Sequence, residues 1–155
     1  MTTPGGLDDD LQGAVVAALG TEHAAVWTYG LVSAFLPGST ATALAAASLR
    51  HRERRDAVVA LLARDGVTPP PAAAAYRPPA PVTDATSAAA LAVVAEEDVA
   101  AAWRAVADRT EPTDADLRRL ALDAVTDSAT TSVTWRTLAG RTPPVPAFPG
   151  DGSAT

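Results

Sequence analysis

Between Gly66 and Thr83 the sequence reads Val67-Thr68-Pro69-Pro70-Pro71-Ala72-Ala73-Ala74-Ala75-Tyr76-Arg77-Pro78-Pro79-Ala80-Pro81-Val82. Proline fixes φ and removes backbone donors, so this stretch is neither helix nor central strand but an extended connection. It is far longer than a turn. About 16 residues at about 3.1 Å each span about 50 Å, enough to run past a bundle helix of about 26 residues, which is about 39 Å long. The connection therefore predicts that the helices on either side of it run parallel.

Working outward, the preceding helix runs from near Ser39 to near Asp65, capped by Ser39 or Thr40 and closed by Gly66. Before it, a helix begins at Asp8, Asp9 or Asp10 and stops at Pro37-Gly38. So short a link makes these two an antiparallel hairpin. After the connection, Thr83-Asp84 with Ser87 starts a third helix through Leu91, Val94, Val99, Trp103 and Val106. Glu111-Pro112 breaks it, and a fourth helix, capped by Thr113, carries Leu117, Leu120, Ala124, Thr131, Trp135 and Leu138 to Gly140. Four helices joined short, long, short predict an all-α fold, a ferritin-like four-helix bundle over residues 8–140 with a long crossover between helices 2 and 3. An up-down-up-down bundle is the alternative. Residues 141–155, with Pro143, Pro144, Pro146 and Pro149, read as a proline-rich extended or disordered tail.

Composition narrows the function classes. The net charge of -6 and pI near 4.7 argue against nucleic acid as a partner. Absence of cysteine excludes disulfides, thiolate metal sites and a thiol nucleophile. With no basic-then-apolar leader at Met1 to Asp10 and no membrane-length apolar stretch, the expectation is a cytoplasmic protein with no membrane partner.

Polar residues interrupt two apolar stripes. Glu22 lies among Leu11, Val15, Ala18, Ala25, Tyr29 and Val32, and His51 and Arg55 lie among Leu44, Ser48, Val58 and Leu62. Counted from the turn near Pro37-Gly38, Glu22 and the segment His51 to Arg55 stand at matching heights. The expected result is a buried polar cluster of Glu22, His51, Arg55 and Tyr29 in which arginine supplies donors to the carboxylate. Trp27, Trp103 and Trp135 are read as core or interface fillers, Tyr76 as a pin for the crossover and His23 as a surface or interface histidine.

The segments Gly20-Thr21-Glu22-His23-Ala24-Ala25-Val26-Trp27-Thr28-Tyr29-Gly30, His51-Arg52-Glu53-Arg54-Arg55-Asp56, Ala75-Tyr76 and Pro81-Val82-Thr83-Asp84 resemble a bacterial family of ferritin-like domains of unknown function. The resemblance covers about residues 10–140 and implies the fold, with no activity to transfer. Ferritin-like di-metal sites take a glutamate from each of two helices and a Glu-x-x-His pair from each of the others. Glu22 matches the first glutamate, and Glu97, or its neighbour Glu96, that of the third helix. His51 matches a histidine, but Ser48 stands where its glutamate should be, and Asp127-Ser128-Ala129-Thr130 offers no histidine on the fourth helix. The site is incomplete. No metal is expected, and any that binds weakly, iron or manganese, would use Glu22, His51 and Glu97.

The sequence thus points to a non-catalytic binding or interaction module, with a homodimer allowed. Two alternatives stay open: a degenerate iron- or manganese-dependent oxidase, and a binder of small molecules in an interhelical pocket around Arg55.

Overall fold

The computed structural model describes residues 6–145 and 149–150, and among them there are four α-helices and no strand. Helix α1 spans Asp9–Val32, α2 Ala41–Arg64, α3 Ala85–Arg109 and α4 Ala115–Leu138. A single 3₁₀ turn, Gly38–Thr40, leads into α2. Asp8 caps α1 by accepting from the Leu11 amide. Asp84 and Ser87 form a reciprocal capping box at α3. Asp114, rather than Thr113, caps α4 through the Leu117 amide, and Thr40 makes no side-chain cap but donates its hydroxyl to the Pro37 carbonyl. Gly66 and Gly140 follow α2 and α4 with φ of 76° and 68°, the left-handed geometry that glycine adopts without a Cβ penalty.

Pairs of contacts fix the helix directions. Asp65 accepts from the Leu7 amide at one end of the α1–α2 pair and Glu22 meets Arg54 near its middle, so α1 and α2 are antiparallel. Glu22 meets Trp103 while Tyr29, further along α1, meets Glu96, earlier on α3, so α1 and α3 are antiparallel too. It follows that α2 and α3 are parallel, with Gly66 and Thr83 at opposite ends. α4 runs back along α3, as Arg118 with the Ala107 carbonyl and Arg136 with Glu97 require. The crossover is held along the way, where Tyr76 packs tilted against Trp27 at 5.7 Å between ring centroids and His23 Nε2 lies 3.3 Å from the Pro70 carbonyl.

Two apolar regions fill the bundle. One gathers Leu11, Val15, Leu19, Val58, Leu62, Val99, Val106 and Leu117, and the other Tyr29, Val32, Ala47, Ala92, Val93 and Trp135. Beyond α4, the Pro143 carbonyl accepts from Arg136, and Gly150 approaches α3 so closely that a Cβ there would lie 2.9 Å from the Ala100 carbonyl oxygen. The expectation of an extended or disordered tail also covers residues 146–148 and 151–155, which lie outside the described residues.

Candidate functional site, a buried ion network

Between the two apolar regions lies a layer of charge. Glu22, His51 and Glu96 are each 1% exposed or less, and Arg54 is 8% exposed. Unpaired, such groups would be costly in a core, so each has partners. Glu22 Oε1 accepts from Arg54 Nε and from Trp103 Nε1, each at 2.7 Å, and its Oε2 lies 2.7 Å from His51 Nδ1. The other ring nitrogen, Nε2, is 3.0 Å from Glu96 Oε1. That same oxygen accepts from the Tyr29 hydroxyl, which in turn accepts from Trp135 Nε1 at 2.7 Å. Arg54 continues outward, donating Nη1 to Asp127 at 2.7 Å, and Arg50 joins the same carboxylate from the surface side.

This arrangement sets the protonation of His51. A ring nitrogen approaches a carboxylate oxygen this closely only with a proton between them, and both nitrogens do so, an arrangement that favours the imidazolium. Burial acts to lower its pKa, but hydrogen bonds and charge from Glu22 and Glu96 outweigh it and raise the value from 6.5 to about 9. Arg54 Nη2, 3.0 Å from His51 Nδ1, is then a like-charge neighbour, tolerable because Glu22 sits against both cations. Burial, helped by the charge of Glu96, pushes the Tyr29 hydroxyl well above its ordinary value of 10, so Tyr29 acts as a donor. Formally, His51, Arg54 and Arg50 meet Glu22, Glu96 and Asp127, and the layer is neutral.

The structure brings Glu22, His51 and Tyr29 together and leaves Arg55 out. Arg55 points away from the network and pairs with its exposed neighbour Asp56. The seam of α2 runs Ala47, His51, Arg54, Val58, Leu62. From His51, both a three-residue and a four-residue step stay on one helix face, and the three-residue step is taken because Asp127 of α4 and Glu22 of α1 both lie on Arg54's side. Glu97 is likewise displaced by Glu96. Glu97 sits at the rim of the α3–α4 contact, 2.6 Å from Arg136 Nη1, whereas Glu96 falls on the Ala92, Val99, Trp103 and Val106 stripe. Counting back seven residues from Trp103 selects Glu96 in the sequence itself. The roles of Trp103 and Trp135 as hydrogen-bond donors left no signal in the sequence beyond the presence of an indole.

Donor chemistry sets what a metal would find here. Both oxygens of Glu22 and both nitrogens of His51 are engaged, so a metal would gain either residue as a ligand only by displacing one of these partners. Glu96 Oε2 is the carboxylate atom of the buried layer left without a partner, and the hydroxyl of Ser128, on α4's buried face, also has none. Among the described residues no three His, Asp or Glu side chains are placed to hold a metal ion. Nor is any described helix long and apolar enough to cross a membrane.

At the surface the network opens into a groove between α2 and α4. Its volume is about 410 Å³, with Arg50, Glu53, Arg54, Ala57, Leu120, Asp123, Ala124 and Asp127 around it. Arg54 is both floor of the groove and partner of the buried carboxylate.

Comparison with known proteins places the chain without giving it an activity. A crystal structure of a conserved hypothetical protein from Mycobacterium tuberculosis is similar over 85% of this chain and 98% of that one, at 42% identity and a TM-score of 0.81. No curated protein matches. Residues 14–152 match the family described as Domain of unknown function (DUF4439), and the chain belongs to that family.

Proposed function

We propose that this protein is a ferritin-like bundle in which ion pairs occupy the position of a di-metal site, and that it serves as a binding module rather than an oxidase. The short, long, short connectivity and the four-helix polar layer support the ferritin-like reading. One observation carries the functional one: His51 is clamped through both ring nitrogens between Glu22 and Glu96, with Arg54 supplying beside them the positive charge a cation would bring. A divalent ion would have to break several buried hydrogen bonds and sit against two protein cations. The groove over Arg54 is the binding surface in this reading, since its volume falls within the range of small-molecule sites and it lies between bundle helices, where such sites occur.

Metal analysis tests the proposal. Protein isolated without chelator from cells grown with added iron and manganese should carry well below one equivalent of either, and chelator should leave its thermal midpoint unchanged. Stoichiometric iron or manganese, with a midpoint that falls on chelation, would instead support the oxidase.

A further inference from the structure

Resting on the reading of the α2–α4 groove as a binding site, we propose that its ligand is a small amine, a protonated nitrogen carried on an apolar body. Charge complementarity selects this class. The two cations of the groove are already engaged: Arg50 lies 2.7 Å from Asp127 Oδ1, and Arg54 is 2.7 Å from both Asp127 Oδ2 and Glu22 Oε1. An entering anion would meet guanidinium charges that Asp127 and Glu22 already neutralise. Glu53 of α2 and Asp123 of α4, by contrast, line the groove exposed and make no ion pair with any described residue. Lying on opposite walls, they leave the groove with uncompensated negative charge from two helices. Between them Ala57 and the half-buried Leu120 offer apolar surface to the body of a ligand, with Ala124 buried beneath. An ammonium group placed between the two carboxylates gains from both, while its hydrocarbon part covers these side chains. A neutral ligand would gain only the second contribution, and a carboxylate would be repelled.

Three probes of one shape test this on the full chain labelled with ¹⁵N: phenethylamine, 3-phenylpropionate and 2-phenylethanol, each titrated while the backbone amides of Ala57, Leu120 and Ala124 are followed. Phenethylamine should shift these amides saturably, with little response to the acid. The exposed pair of substitutions Glu53→Gln and Asp123→Asn, with helicity checked by circular dichroism, should weaken the amine by about three- to tenfold. Equal affinity for all three probes, preference for the acid, or amine affinity unchanged in the double variant would overturn the amine assignment while leaving the groove as a site. No saturable shift with any probe would overturn the groove itself as well.

Discussion

Helices α2 and α3 run parallel, have nearly the same length, 24 and 25 residues, and each contributes to the ion network, yet they are held in opposite ways. α3 is sheathed. Its buried residues include Ala88, Ala89, Ala92, Val93, Val99, Ala100, Trp103 and Val106, with Glu96 as its one buried charge. α2 buries only Ala47, His51, Arg54, Val58 and Leu62, so two of its five inward side chains are cations. Against α4 it is tied by Arg50 and Arg54 on Asp127 beside the groove. Hydrophobic burial is tolerant of small adjustments, whereas a buried charge depends on particular partners. The contrast implies that α3 is the scaffold and that α2 is fastened by electrostatics, which makes α2 the place where single changes act most strongly.

The sharpest way to break that contrast is to remove one side of the α1–α2 ion pair. Glu22→Leu leaves Arg54 and His51 short of a carboxylate in the core, and Arg54→Met leaves Glu22 without its guanidinium. Each should cost about 3–5 kcal/mol in urea unfolding. The double variant, which removes charge of both signs and keeps side-chain volume, should recover most of that loss. If the double variant is as unstable as the sum of the singles, α2 is fastened by something other than this pair.

Proton removal from His51 probes the same fastening without mutation. Burial lowers its pKa, but groups on two other helices, Glu22 of α1 and Glu96 of α3, outweigh it and raise the value from 6.5 to about 9. For a cation stabilised in the folded state, the linked stability is complete below the unfolded value and is lost as pH rises through the folded one. The window is therefore pH 6.5 to 9, with a loss of about 3 kcal/mol across it at about 1.4 kcal/mol per unit. Tyr29, held well above 10, does not titrate within it. Unfolding midpoints at pH 6, 8 and 10 check this, and His51→Gln should flatten the profile. A flat profile in the native sequence would mean that the ring is neutral in the core.

How far the sequence carried this reading depends on the helix concerned. The direction of α3 was legible because Val67 to Val82 can be explained only by length to be covered. Glu22 was legible because α1 is otherwise apolar, so a lone charge on its inward stripe stands out. On α2 the charges are so dense that hydrophobic contrast vanishes: Arg50, Arg52, Arg54 and Arg55 differ only in angle about the helix axis. A step of three or four from His51 then decides between Arg54 and Arg55, and the answer comes from where Asp127 stands on another helix. On α3, Glu96, Glu97 and Asp98 pose the same ambiguity, though there the distance to Trp103 resolves it. The groove had no local signature, being a space between two helices far apart in sequence.

The smallest effects expected are on α2's outer charges, and they sharpen the comparison by grading it along one helix. Arg50 is 38% exposed in its side chain, and its partner Asp127 keeps Arg54 when Arg50 is removed. Arg50→Ala should therefore cost about 0.5–1 kcal/mol, the upper range for a surface pair, since no group is stranded. Arg55 differs again: it bonds its immediate neighbour Asp56, whose carboxylate is in open solvent and whose charge water can satisfy equally well. Arg55→Ala should leave the urea midpoint where it is, within the error of the measurement. The series Arg54, Arg50, Arg55 thus runs from strongly destabilising to silent within six residues of one helix, in the order of the carboxylates each holds on other helices, two, one and none, and not of formal charge. Should Arg55→Ala prove as damaging as Arg54→Met, the inward face of α2 would have to be rotated by one residue, with Arg55 and not Arg54 on Glu22.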